Sequence, residues 1–273
     1  MLPHIFLLMV FIFMFFSAAT CQTTSVRRET KIRSYWNDEW NRYSLGDIIK
    51  SSDQRGVKFK LEEYGKKYPK SIATEYLNKT LHLAHQNQKY NWNILCNIVK
   101  ERSTMMNVSF PSSNDIIIHL RLGDVADESY YSNNVNGKEL FINGTTIKGS
   151  KKESKRHYIK TREYYGSMLN RIPTSTNIKI VLVGSDLHVS NKKNTYTAPK
   201  HTHSIEYREA LISFLKTEGK FTDITTRWNH LPDEDFLYMS NSKIFIYSGG
   251  GFSHIIGECV RRLGGVTPMD YTK

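Results

Sequence analysis

Three short segments of the chain hold residues suited to gripping a phosphorylated ligand. His119-Leu120-Arg121-Leu122-Gly123-Asp124 sets an imidazole, a guanidinium, a glycine and a carboxylate close together. The guanidinium is a planar fork of donors that matches a pair of diphosphate oxygens. Val181-Leu182-Val183-Gly184-Ser185-Asp186 ends an apolar run on a carboxylate, which can accept hydrogen bonds from ribose hydroxyls or a base edge. Ser248-Gly249-Gly250-Gly251-Phe252-Ser253 closes another apolar run with three glycines and leads into a helical pattern. Glycines allow close backbone approach, and the N–H groups of a helix N-terminus together with the Ser253 hydroxyl can bind phosphate oxygens. Each segment also has a plain structural use. Arg121 and Asp124 can form an ion pair, Asp186 can serve a turn, and the triple glycine can be a tight junction capped by Ser253. Three anion-suited ends in one order favour the binding reading.

The elements that must position these ends are strands. Asp115-Ile116-Ile117-Ile118-His119-Leu120 is a β-branched run short enough for a strand buried on both faces. Residues 158–171, 178–184, 205–217, 233–241, 243–248 and 253–263 then read as helix, strand, helix, helix, strand and helix. That alternation implies an α/β fold, a Rossmann-type parallel sheet flanked by helices in the C-terminal half. Ligands bind beyond the carboxyl ends of the strands in such sheets, which is where all three segments fall. A polar insertion, 125–157, separates the first strand from its helix. The basic cluster 148–160 lies largely within it, and either steers an anion or is a solvated loop. Upstream, Ser71 to Arg102 carries two helical patterns broken near Gln86 to Asn91, and Phe110 to Asn114 reads as a turn. The expected organisation is a leader, 1–21, a smaller helix-rich region, 22–113, and the α/β domain, 114–273.

The chain has 273 residues, 39% of them hydrophobic and 12% aromatic, which describes a folded chain of one large domain or two small ones. Three cysteines exclude a disulfide-stapled miniprotein and a Cys-rich zinc module. The net charge of +12 calls for an anionic partner: nucleic acid, a membrane surface or a small anion. Compartment narrows this choice. The apolar run Ile5 to Phe16, followed by Ser17-Ala18-Ala19-Thr20-Cys21, has the order of a secretory signal peptide. It falls short of the roughly 20 apolar residues of a membrane span, although an uncleaved anchor is the alternative, because no Lys or Arg precedes the run. Sequons at Asn78, Asn107 and Asn143 fit the same route, so the expected location is the ER or Golgi lumen, or outside the cell. An exported chain without zinc-finger spacing or an RNA-binding aromatic motif is a poor nucleic-acid binder. Removal of the leader takes Cys21 and leaves Cys96 and Cys259, either as a disulfide or as two buried thiols.

The His119 to Asp124 segment resembles the H-x-R-x-G-D motif that opens the donor-binding domain of the superfamily of α1,2-, α1,6- and protein O-fucosyltransferases. The stretch from Asp235 to Ser253 is similar to its later signature, an acidic helix start, an apolar strand and a small-residue turn ending in Phe-Ser. Val181 to Asp186 resembles the strand between them, and the similarity spans about residues 115–265. The resemblance implies a GT-B-like enzyme that takes GDP-fucose as donor and a glycan or glycoprotein as acceptor, with no metal or other cofactor. By position, Arg121 would bind the diphosphate and stabilise the leaving nucleotide, and His119 would support the turn or the phosphate. Asp186 would face the nucleoside, and Gly123 with Ser248, Gly249, Gly250, Gly251, Phe252 and Ser253 would hold phosphate. Asp124 is the nearest candidate base for the acceptor hydroxyl, a donor-side or structural role being equally open. Leu122 stands where several members carry a second Arg, which leaves the acceptor and linkage open.

Two other function classes remain in view. One is a sugar- or nucleotide-binding protein of the same fold without turnover. The other is a metallophosphoesterase, since Gly123-Asp124-Val125-Ala126-Asp127 matches a G-D-x-x-D fragment, though the D-x-H and G-N-H segments of that class are missing. His201 and His203 alternate faces of an extended chain and lack a neighbouring carboxylate motif, so they make a poor metal site.

Overall fold

The structure is a computed structural model that describes residues 72, 75, 76, 79, 91–105, 109–127, 135–144, 159–173, 177–190, 195–197 and 202–268. The leader, Asn78, Asn107, His201, the basic residues 148–156 and the side chain of Asp124 lie outside the described residues. In chain order the elements are α1 (Trp92–Met105), β1 (Asp115–Arg121), α2 (Asp124–Asp127), α3 (Gly137–Asn143), α4 (Arg162–Leu169), β2 (Lys179–Ser185), β3 (His188–Ser190), β4 (Thr195–Thr197), α5 (His203–Thr217), β5 (Asp223–Trp228), α6 (Pro232–Ser240), β6 (Ile244–Ile246) and α7 (Gly250–Arg262).

Four strands form one sheet in the order β5-β2-β1-β6, every pairing parallel, while β3 and β4 make a separate hairpin. The β-branched runs sort their side chains by the two-residue period of a strand. Ile117, Val181, Val183 and Phe245 point to one face, into the core they share with α1, α6 and α7. Ile116, Ile118, Leu120, Ile180, Leu182 and Ile246 point to the other, against α3, α4 and α5. A strand covered on both faces favours apolar residues throughout, which is why β1 and β2 are largely apolar, with the buried His119 the exception in β1. Two buried layers of this size account for the stability of the sheet, at ~25 cal/mol per Å² of apolar surface removed from water.

Differences from the sequence expectation have local causes. Strand β5 was not anticipated: Asp-Ile-Thr-Thr-Arg-Trp is an edge strand with no fully buried position, so it lacks an apolar run. The polar insertion 125–157 contains α2 and α3. Asn136 starts α3 with a capping box, its side chain accepting from Glu139 N–H and Glu139 reaching back to Asn136 N–H. Helix α7 begins at Gly250, inside the glycine run rather than at Ser253. Helix α4 is shorter than the expected 158–171.

Upstream, Asn91 caps α1 by accepting from Ile94 N–H at 3.2 Å, and Leu95, Cys96, Ile98 and Val99 turn inward. Ile72 and Tyr76 join the same core. Ile72 N–H donates to Asp233 at 2.9 Å, and Arg102 Nε donates to Glu75 at 2.7 Å, fixing these helical residues on α1 and α6. The expected boundary at 113–114 falls between α1 and β1. Among the described residues no helix is long and apolar enough to cross a membrane. Asn143 is the sequon residue that is described, and it is exposed at the end of α3.

Candidate functional site

The chain builds outward from β1 to β2 to β5 and then returns to the far side of β1 with β6. Strand order therefore reverses between β1 and β6, which is where open parallel sheets form their ligand crevice. Arg121, the last residue of β1, and Ser248, just past β6, meet at that point. Arg121 N–H donates to Ser248 Oγ at 3.2 Å, and Ser248 Oγ is 3.2 Å from His119 Nδ1. The hydroxyl accepts from Arg121 and bonds the Nδ1 of His119 as donor or acceptor according to the ring's tautomer. Burial, helped by the neighbouring Arg121 charge, pushes the His119 pKa down to about 3, which keeps the ring neutral. His119 is thus a neutral brace for the turn, its ring set edge-on to Phe252 at 5.6 Å. The Arg121 guanidinium lies at the same edge, with Nη1 donating to the Leu122 carbonyl at 3.0 Å.

The glycine run makes the second half of the crevice. Gly249 and Gly250 have φ of 126° and 78°, the left-handed region where a side chain is strained. They turn β6 directly into α7, and no side chain caps the helix. The first N–H groups of a helix have no partner within it and carry the positive end of its dipole. Gly250, Gly251 and Phe252 are partly exposed there. Ser253, fully buried, has a hydroxyl with no hydrogen-bond partner among the described residues. Such an orphan marks either strain or a ligand not present.

Gly123 and Asp186 sit beside this crevice with structural duties. A Cβ on Gly123 would come within 2.3 Å of the Leu187 carbonyl, and φ is +65°. Gly123 N–H donates to Ser204 Oγ at 3.0 Å, so this glycine serves the close approach of the β1 and β2 exits. Asp186 is buried, and it is clasped by Asn229 at the end of β5. Asn229 Nδ2 donates to Asp186 Oδ1 at 2.8 Å, and Asp186 N–H donates to Asn229 Oδ1 at 3.2 Å. That leaves Oδ2 for a ligand. Asp124 opens α2 at the exit of β1.

Two groups take their places only in the structure. Lys160 lies 5.0 Å from the centroid of the Tyr164 ring, and Tyr164 donates its hydroxyl hydrogen to the Tyr247 carbonyl at 2.6 Å. This chain of contacts brings a half-buried ammonium to the β6 side of the crevice. Burial lowers its pKa, and no carboxylate pairs with it among the described residues. In the sequence it is one lysine at the end of a basic cluster, and only the Lys-x-x-x-Tyr spacing hinted at its aromatic partner. The other is Arg227 of β5, whose Nε donates to Asp235 Oδ1 at 2.7 Å while its guanidinium covers the Tyr238 ring at 4.8 Å. Burial pushes the Asp235 carboxyl up to about 7 against the pull of Arg227.

Elsewhere the chemistry is sparse. A cavity of about 280 Å³ opens at the opposite, amino edge of the sheet, lined by Ile116, Ile172, Ile178 and Phe221 with Lys220 at its rim. His203 Nδ1 lies 3.3 Å from the Ala126 carbonyl. Among the described residues no three His, Cys, Asp or Glu converge as a metal ion requires.

No family model, curated protein or solved structure matches the chain. What the site can do is therefore argued from its own geometry. At the point where strand order reverses lie an uncapped helix N-terminus, an orphan buried hydroxyl and the Arg121 side chain.

Proposed function

We propose that the chain is a glycosyltransferase of the secretory pathway, transferring fucose from GDP-fucose with inversion to a hydroxyl of a glycan or glycoprotein. Its 114–273 region would serve as the nucleotide-sugar domain of a GT-B-like architecture. The observation that carries this reading is the convergence of Arg121 with the Gly249–Gly251 turn at the β1/β6 crevice, joined through the 3.2 Å Arg121 N–H to Ser248 Oγ contact.

In this reading the α7 N–H groups and Ser253 hold the diphosphate, and His119 fixes Ser248 so that the turn keeps its shape. The acceptor oxygen attacks the anomeric carbon, the bond from that carbon to the diphosphate oxygen breaks, and the acceptor proton passes to Asp124. Negative charge grows on the departing diphosphate, where Arg121 and Lys160 stabilise it most strongly in the transition state. Asp186 Oδ2 takes a hydroxyl of the ribose.

A panel of sugar nucleotides offered to the purified chain tests this, with calorimetry for binding and product analysis for slow donor hydrolysis. GDP-fucose should bind and hydrolyse. Arg121→Ala should weaken binding about 10- to 100-fold, the worth of a hydrogen bond to a charged group. Absence of GDP-fucose binding, or an Arg121→Ala protein that behaves as wild type, would overturn the donor-site assignment. Binding without hydrolysis or transfer would make the chain a binding protein of this fold.

A further inference from the structure

Helix α3 lies within the polar insertion and lays one face on the domain. Gly137, Leu140 and Phe141 are buried, and the Phe141 ring meets those of Tyr165, Tyr207 and Phe214 at 6.2, 5.6 and 5.8 Å. Residues three and four apart share a helix face, so Lys138, Glu139, Ile142 and Asn143 fall on the other side, and all four are exposed. Asn143 is the last residue of the helix, and its side chain makes no hydrogen bond among the described residues.

An asparagine at a helix end commonly has a structural use, either taking the left-handed position that closes the helix or bonding the nearby backbone. Here Gly144 closes the helix instead. Its φ is 65°, and its N–H donates to the Leu140 carbonyl at 3.0 Å. The Asn143 amide is thus left to solvent with no duty in the fold. The same glycine is the middle residue of Asn143-Gly144-Thr145, the triplet that N-glycosylation takes as its acceptor. Its left-handed backbone takes the chain out of the helix directly after the asparagine, at a surface position with room for a bulky polar group.

We propose that Asn143 is a modification site and carries an N-linked glycan in the secretory pathway. The co-substrate is an oligosaccharide held on a lipid diphosphate. Asn143 Nδ2 attacks the anomeric carbon of the first sugar, the bond from that carbon to the diphosphate oxygen breaks, and the lipid diphosphate leaves with the electron pair. Nδ2 gives up one of its two hydrogens as a proton and keeps the other, so the product is a sugar on a secondary amide. The attachment breaks no contact of the fold, because the asparagine stands on the exposed side of α3 and its amide is bonded to nothing described. The proposal rests on the secretory part of the functional reading and is independent of fucose transfer.

Expression of the full chain in cultured eukaryotic cells, followed by peptide mapping, decides the matter. Peptide N-glycosidase in heavy-oxygen water converts each occupied asparagine to an aspartate marked with the heavy isotope. The peptide containing position 143 should carry the mark. Asn143→Gln and Thr145→Ala should each speed the chain on a gel by one glycan and remove the mark, whereas Thr145→Ser should keep both glycan and mark. An unmarked Asn143 in chain recovered from the lumen or the medium overturns the proposal and leaves the secretory reading standing. A chain confined to the cytosol with no marked peptide overturns that reading, and the proposal with it. If a variant fails to fold, the wild-type map decides by itself.

Discussion

At the β2/β5 corner of the sheet's carboxyl edge, Arg227 donates to Asp235 at 2.7 Å and Asn229 clasps Asp186. At the β1/β6 corner, two strand spacings or about 10 Å away along the same edge, Lys160 rests on an aromatic ring without a carboxylate among the described residues, Ser253 keeps an orphan hydroxyl and α7 starts uncapped. The two corners use similar residue types. One is internally compensated, as a buried structural network must be. The other leaves a helix N-terminus uncapped, a buried hydroxyl without a partner among the described residues and Lys160 without a carboxylate among them, features suited to taking an anion from outside. The cavity at the amino edge, lined by Asn177, Lys220 and Thr222 as well as by apolar side chains, lies away from the strand ends at which such sheets bind ligands.

If the comparison holds, breaking the Arg227–Asp235 contact should appear in stability and leave binding alone. Arg227→Met takes the donor from an Asp235 carboxyl that is largely protonated below pH 7, and leaving a buried polar group unsatisfied costs about 1–3 kcal/mol. A urea titration should show that fall in midpoint, while GDP-fucose affinity stays within about twofold. A large loss of affinity in the folded variant would erase the distinction between the corners.

The same pair sets a pH signature. Folding raises the Asp235 pKa from 3.8 to about 7, so between those values the folded chain holds a proton that the unfolded chain releases. Stability from this group is then full at low pH, falls as pH rises through the window and is flat above it. The fall amounts to about 4 kcal/mol at most, taking 1.36 kcal/mol per pKa unit. Asp235→Asn should flatten this part of the urea-midpoint profile, and an unchanged slope would assign it elsewhere.

What could be read beforehand divides along burial and sequence distance. Strands β1 and β2 were legible because burial on both faces favours a largely apolar run, and their ends carried Arg121 and Asp186 in plain view. Strand β5 was hidden because an edge strand tolerates Asp, Thr and Arg. Helix α3 was hidden behind Asn136-Gly137, which also reads as a turn, although the Glu139 of its capping box was present. The meeting of Arg121 with the glycine turn was foreseeable from strand-end logic. Its internal wiring was not, since His119 with Ser248 and Asp186 with Asn229 are contacts between segments far apart in sequence, created only by the parallel register. At Gly123 a Cβ would come within 2.3 Å of the Leu187 carbonyl, a crowding that depends on the far-off β2 exit and has no mark in the sequence.

Lys160 offers the finest probe of the open corner. A half-buried ammonium over a tyrosine gains about 0.5–2 kcal/mol from the ring, less than a carboxylate or phosphate would return. If the ring is its whole purpose, removing the charge leaves nucleotide binding unchanged and costs only a little stability. If it faces the diphosphate, Lys160→Ala should weaken GDP binding about tenfold at low salt, and the gap between variant and wild type should narrow as salt screens the charge. Guanosine, without phosphates, should bind both proteins equally. Lys160→Arg should restore most of the affinity, because it keeps the charge and the aromatic contact. Calorimetry with GDP and guanosine at two ionic strengths separates these outcomes, and equal GDP affinity in Lys160→Ala and wild type would remove Lys160 from the crevice.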